Sequence, residues 1–255
     1  MRRRIAGGLA ALAVVIAAAA GPALADDEKK ENKPAVGKLL ERKFEKGSVK
    51  YDYLLYLPKD YGQDSKGSPL VLFLHGKGDK LARMKRFGLP GQIERKKGVS
   101  FILVAPECPD RFWVPRSLNA LLDDVGAKYK VDKDRVYVTG LSLGGFGTFS
   151  LIAAYPDRFA AAIPICGGGM PASAKKLKDM PIWVFHGAKD DVVPAKRSEA
   201  MVKALKDAGS KSVKFTLYPE AKHNSWTKTY SDEKVWEWLL KQKRRAKEEP
   251  AKEKE

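Results

Sequence analysis

The chain has 255 residues, a formal net charge of +17, 44% hydrophobic residues and two cysteines. That length and apolar content support one sizeable core, and no repeat or second hydrophobic unit is visible. The charge raises the question of a nucleic-acid partner, but the lysines are spread over the whole chain among acidic residues; that distribution argues against such a partner and for a solvated basic surface, with anionic polysaccharide or an envelope surface as the next candidate.

Residues 1–25, MRRRIAGGLAALAVVIAAAAGPALA, join a basic start, an Ala- and Gly-rich apolar stretch and a small-x-small ending at Ala23-Leu24-Ala25. This is the pattern of an export signal cleaved after Ala25. Polar DDEKKENK follows at once, so cleavage is favoured over a retained anchor, no integral membrane segment is expected, and the mature chain is placed in the periplasm or outside the cell. Losing Arg2, Arg3 and Arg4 leaves a charge of +14. Residues 26–38 read as a polar linker, 39–242 as the folded domain and 243–255 as a charged tail.

In chain order, VKYDYLLYLP (Val49–Pro58) alternates between apolar and polar residues, which suits an edge or antiparallel strand. Six further runs are nearly continuous in apolar residues, as strands buried on both faces should be. They are PLVLFLHG (Pro69–Gly76), FILVAPE (Phe101–Glu107), RVYVTG (Arg135–Gly140), FAAAIPICGGG (Phe159–Gly169), PIWVFHG (Pro181–Gly187) and VKFTLYP (Val213–Pro219). Helical patterns lie between them. LGGFGTFSLIAAY follows RVYVTG, and PAKRSEAMVKALKDAG sets Met201, Ala204, Leu205 and Ala208 on one face before a Gly209 stop. SDEKVWEWLLKQ opens with Ser231 as cap and places Val235, Trp236, Leu239 and Leu240 on one stripe. The alternation predicts an α/β fold with a mostly parallel sheet covered by helices on both faces, and ligands gathering beyond the carboxyl ends of its strands.

Gly140-Leu141-Ser142-Leu143-Gly144 is a G-x-S-x-G sequence at the join between the strand RVYVTG and a helix. A turn sharp enough to expose one hydroxyl brings the flanking backbone too close for side chains, which accounts for the glycines. By itself the motif is common; its partners decide its meaning. A serine hydroxyl needs a base, and the base an oriented acceptor. Of the three histidines, His75 and His186 end strands in His-Gly turns, where bonding to nearby backbone is the expected role. His223, in YPEAKHNSWTKTY after the last strand, is the candidate base. HGAKDDVVP supplies Asp190 and Asp191 after the preceding strand, and Asp190, the fifth residue of H-G-x-x-D-x-x-V-P, is the chosen acid. The order Ser142, Asp190, His223 brings all three to the carboxyl ends of strands. The backbone N–H groups of Leu143, and of Lys77 in HGKGD, are the candidate oxyanion donors.

With PLVLFLHGKGD, FILVAPECP, DRVYVTGLSLGGFGTF, YPDRFAAAIPICGGG, PIWVFHGAKDDVVP and KHNSWTKTY in view, the chain resembles the α/β-hydrolases over Val49 to Leu240, and among them the phospholipase/carboxylesterase-like esterases, sometimes labelled predicted peptidases. The resemblance implies an α/β-hydrolase fold and puts nucleophile, acid and base on Ser142, Asp190 and His223. Lys77 departs from the small or apolar residue usual there and points to an acidic acyl or leaving group. In the strand order typical of that fold, Cys108 and Cys166 leave strands separated by two others, a gap of roughly 14 Å, which favours free thiols over a disulfide.

The function expected is that of an exported serine hydrolase cleaving carboxylic esters on small molecules or polysaccharides through an acyl-enzyme. Trp113 and Trp226 are candidate substrate contacts. No metal-ligand cluster is apparent and HGKGD lacks the G-K-S/T ending of a phosphate cradle, so no metal or cofactor is expected. Two rivals stand beside this reading: a serine peptidase of prolyl-oligopeptidase type, and an idle carbohydrate- or envelope-binding protein on the same fold.

Overall fold

The computed structural model describes residues 34–95, 98–109 and 111–244. The expected signal segment and most of the linker and charged tail lie outside the described residues. Eight strands form one sheet in the order β1-β2-β4-β3-β5-β6-β7-β8. They are β1 (Leu39–Lys46), β2 (Val49–Tyr56), β3 (Ser68–Leu74), β4 (Ile102–Pro106), β5 (Val131–Leu141), β6 (Ala161–Ile165), β7 (Ile182–Gly187) and β8 (Val213–Tyr218). The strands from β3 to β8 run parallel; β1 and β2 are antiparallel to their neighbours.

Among the described residues the helices are α1 (Leu81–Met84), α2 (Gly88–Arg95), α3 (Pro115–Lys128), α4 (Leu143–Ala154), α5 (Ala174–Leu177), α6 (Lys196–Asp207), α7 (Trp226–Ser231) and α8 (Glu233–Lys241). None is long and apolar enough to cross a membrane. Side chains alternate across each strand, so the sheet feeds two cores. Leu70, Leu72 and Leu74 of β3 pack in one core with α3, α4 and α6, while Val71 and Phe73 pack in the other with α1, α2 and α8. β3, β4 and β6 are buried along their whole length, which explains their unbroken apolar runs. Each such Leu, Val or Phe contributes about 1.5–3 kcal/mol by leaving water.

Five local expectations are corrected. β2 is antiparallel, as its alternation suits, but internal; the edges are β1, where Phe44 alone is buried among charges that discourage pairing with other chains, and β8, where Tyr218 alone is buried, so VKFTLYP is not the doubly buried strand expected. β5 begins at Val131 rather than Arg135, because Ser68 pairs with Val131 before a register shift. Trp226 to Ser231 form a helix inside what the sequence marks as loop. Ser231 does not cap α8: it ends α7, its hydroxyl donating to the Thr227 carbonyl at 2.8 Å, and Asp232 caps instead, accepting from Lys234 N at 3.0 Å. The order β4-β3-β5-β6 does set two strands between those leading to Cys108 and Cys166, and the two form no disulfide.

Candidate active site

The turn from β5 into α4 is held by backbone contacts that tolerate no side chain. A Cβ added at Gly144 would lie 1.9 Å from the Leu74 carbonyl oxygen, and one at Gly140 would lie 2.3 Å from that of Gly144. Ser142 sits at the tip with φ 53° and ψ −118°, a region that costs a non-glycine residue about 1–3 kcal/mol. The surrounding bonds impose it: Ser142 N–H donates to the Ile165 carbonyl of β6 at 3.0 Å, and Phe146 N–H returns to the Ser142 carbonyl at 3.1 Å.

The loops after β7 and β8 deliver the other two groups. They are knitted together by Lys189 N–H donating to the Ala221 carbonyl at 3.0 Å, and they run so close that a Cβ at Gly187 would stand 2.2 Å from the Lys222 carbonyl oxygen. His223 Nε2 lies 3.0 Å from Ser142 Oγ, and its Nδ1 lies 3.0 Å from Oδ1 and 2.8 Å from Oδ2 of Asp190. The Asp190 side chain is fully buried and that of His223 is 19% exposed. Asp190 Oδ1 also accepts from the Val192 and Val193 amides at 2.9 and 2.8 Å. Burial pushes the Asp190 carboxyl upward, but the His223 hydrogen bond and then the two amides outweigh it, so the group is held below its ordinary range. Asp191, the alternative acid, is exposed, with Lys222 Nζ 4.0 Å from its carboxylate.

Neither remaining histidine reaches Ser142 by a hydrogen bond among the described residues. His75 Nδ1 donates to the Gly76 carbonyl at 2.5 Å and Nε2 accepts from Cys108 N–H at 2.8 Å, which fixes a neutral tautomer. Burial, opposed by the Gly76 bond, lowers its pKa from the usual value. His186 bonds the Val193 carbonyl, as a strand-end histidine should, but its Nε2 is also 3.1 Å from Asp190 Oδ2, a contact the sequence does not announce.

The sequence also gives no sign of Cys166. Its backbone, like that of Ser142, has positive φ (41°), and Ser142 N–H reaches its Sγ at 3.3 Å. Burial drives its thiol up to about 12 against the Ser142 N–H and the Ser225 hydroxyl. Donor atoms of Cys166, Asp190 and His223 lie within 4.8 Å of one another, the one potential metal-donor group among the described residues. Within it the imidazole and carboxylate are bonded to each other, and the thiol receives the Ser142 N–H.

Leu143 opens α4, so its amide is one of the first-turn N–H groups that the helix itself leaves unbonded. Lys77 is exposed and follows Gly76, whose added Cβ would stand 3.7 Å from Ser142 Cβ. Leu143 thus follows the serine directly, and Lys77 lies one residue beyond the glycine that approaches it. Trp226 stands edge-on to His223 at 5.5 Å and lines a cavity of about 420 Å³ with Phe73, Leu141, Phe87 and Arg86. Trp113 is not free for substrate. It is 5% exposed, its indole N–H donates to the His75 carbonyl at 3.2 Å, and its ring lies where a Cβ at Gly147 would be. Neither the cavity beside Trp226 nor a larger one of about 680 Å³, beside Leu70 and Val131 at the amino ends of β3 and β5, is lined by Ser142, Asp190 or His223; the smaller adjoins them through Leu141, Asn224 and Trp226.

Residues 99–251 match the Dienelactone hydrolase family. A bifunctional acetylxylan esterase/xylanase of Neocallimastix patriciarum is 30% identical over 98 residues, covering 38% of this chain and 14% of its own. A poly(3-hydroxyalkanoate) depolymerase C of Paucimonas lemoignei is 50% identical over 52 residues, covering 20% and 13%. Among solved structures, a thermostable esterase superposes with a TM-score of 0.71 at 34% identity, over 82% of this chain and 64% of that one. The chain thus spans about a seventh of the two curated relatives and under two thirds of the thermostable esterase. Sheet order and these likenesses together identify the architecture as the α/β-hydrolase fold.

Proposed function

The chain belongs to the dienelactone hydrolase family, and from that premise we propose that it is a serine hydrolase of carboxylic esters, with Ser142 as nucleophile, His223 as base and Asp190 as orienting acid. One observation carries the reading: an unbroken hydrogen-bonded path from Ser142 Oγ through both ring nitrogens of His223 to a buried carboxylate.

The Asp190 carboxylate accepts from Nδ1–H, which leaves Nε2 as acceptor for the serine proton. As His223 takes that proton, Ser142 Oγ attacks the ester carbonyl, and the oxyanion forms toward the Leu143 and Lys77 amides. Each amide so aimed lowers the barrier by about 3 kcal/mol. Protonated Nε2 then hands its proton to the leaving alcohol oxygen. Water, deprotonated by the same nitrogen, attacks the acyl-enzyme and releases the acid.

The cavity beside Leu141 and Trp226, walled by Phe73, Phe87 and Trp226 together with Arg83, Arg86 and Arg95, is assigned to the acyl group, and its aromatic walls suit short or aromatic acyl chains. An acetyl group on polysaccharide fits the name of the acetylxylan esterase relative, the basic surface and the expected export. We assign the hydrolase domain to residues 39–242, behind a signal cleaved after Ala25.

The test is hydrolysis of 4-nitrophenyl acetate, 4-nitrophenyl butyrate, an aryl cinnamate and a prolyl anilide by the parent and by Ser142→Ala. The esters are expected to be cleaved by the parent alone. Equal rates in both proteins would leave an idle binding fold, and faster anilide than ester cleavage would make the protein a peptidase.

A further inference from the structure

His186 closes β7, four residues before Asp190, and its side chain is wholly buried. Its ring is bonded at both nitrogens. Nε2 lies 2.8 Å from the Val193 carbonyl oxygen and 3.1 Å from Asp190 Oδ2, while Nδ1 lies 2.7 Å from Ser198 Oγ. A carbonyl and an ionised carboxylate can only accept, so Nε2 carries a proton and donates to both.

This divides the carboxylate's hydrogen bonds in a telling way. Oδ1 is pinned by the amides of Val192 and Val193, whereas Oδ2 is met by two imidazoles, His223 at 2.8 Å and His186 at 3.1 Å. Oδ1 alone would leave the carboxylate free to swing about it; the second ring blocks that swing and keeps Oδ2 toward His223. The far side of His186 is anchored too. Ser198, buried in the first turn of α6, lies 2.9 Å from the Gly167 carbonyl oxygen, and a Cβ at Gly167 would stand 2.6 Å from the Gly145 carbonyl carbon in α4. The acid, His186 and Ser198 thus lie within hydrogen-bond reach in series, and the Gly167 backbone beyond them runs close beside α4, the helix that follows Ser142.

We propose that His186 is a positioning residue: its Nε2–H fixes the Asp190 carboxylate against His223, while Ser198 Oγ, 2.7 Å from Nδ1, holds the far side of the ring. A buried strand-end histidine needs only backbone partners to be satisfied, and His186 already has the Val193 carbonyl. The contact to Oδ2 is what a merely structural role leaves unexplained. The inference rests on the assignment of Asp190 and His223 given above, and acts on the turnover step rather than on substrate contacts.

Two variants separate positioning from packing. His186→Leu keeps bulk and removes the donor; His186→Gln carries an amide N–H to where Nε2 stands. Both are expected to melt lower than the parent by similar amounts. At a temperature where each is folded, His186→Leu is expected to lose about tenfold to a hundredfold in kcat on 4-nitrophenyl acetate, with KM within about twofold, and His186→Gln to stay within about threefold of the parent in both. The low-field proton resonance of His223 Nδ1–H should move in the leucine variant and hold in the glutamine variant. Equal kcat losses in both, or an unmoved resonance in His186→Leu, would overturn the proposal. Should the parent hydrolyse no ester, the esterase reading fails, and the resonance still decides whether His186 holds Asp190 to His223.

Discussion

His223 Nδ1 faces both oxygens of the Asp190 carboxylate, at 3.0 and 2.8 Å, while two backbone amides converge on Oδ1 alone. In Asp190→Asn the amides of Val192 and Val193 keep an oxygen at the Oδ1 position, so the new NH2 group stands where Oδ2 met His186 Nε2–H, a donor against a donor, and points at His223 Nδ1. That nitrogen must then accept, the proton moves to Nε2, and the ring can no longer take a proton from Ser142. The variant should bind ester normally and lose about ten-thousandfold in kcat, read by steady-state kinetics on 4-nitrophenyl butyrate.

The same carboxyl sets an acid limit on stability. Its folded pKa is held below the unfolded value of about 3.9, so its contribution is complete above that value and disappears as pH falls through the folded pKa. The gap in urea midpoint between parent and Asp190→Asn should hold constant from pH 8 to about 5 and close at lower pH. A gap that closed instead on going from pH 6 to 8 would place the linkage on another group.

Ser142 stands where only glycine is at ease. Ser142→Ala and Ser142→Gly should both abolish turnover, but the glycine variant should be the more stable of the two by about 1 kcal/mol, or about 2–4 °C in thermal midpoint. Equal midpoints would mean that the tip is not strained.

Much of this was legible because parallel strands buried on both faces leave unbroken apolar runs, and because a tip that excludes side chains must be written in glycine. β1 was not legible: LLERKFEK buries only Phe44 among its charges, as an edge strand does. Trp113 misleads for the opposite reason, since an indole beside a catalytic loop looks the same in sequence whether it faces substrate or lies under Gly147. The roles of His186 and Cys166 depend on contacts between separate loops, which no local spacing encodes.

Two glycines on adjoining helices make opposite forecasts. Gly144→Ala would drive a Cβ to 1.9 Å from the Leu74 carbonyl, a backbone clash that should cost upward of about 4 kcal/mol or prevent folding. Gly126 in α3 has open space around its Cβ position, and Gly126→Ala should stabilise by about 0.5–1 kcal/mol. Urea denaturation of the two variants checks both signs.

Cys166 lies beside Ser142 yet should be inert. With its thiol pushed up to about 12, only about one molecule in ten thousand carries the thiolate at pH 8, and the side chain is wholly buried. Cys108 is partly exposed. An aromatic disulfide reagent at pH 8 should therefore modify one thiol in the native protein, with little loss of esterase activity, and both in urea. Rapid native modification of Cys166 would mean that the wall behind Ser142 opens in solution. Its modified side chain would then displace Ser142 N–H from the Ile165 carbonyl, and activity would fall in step with labelling.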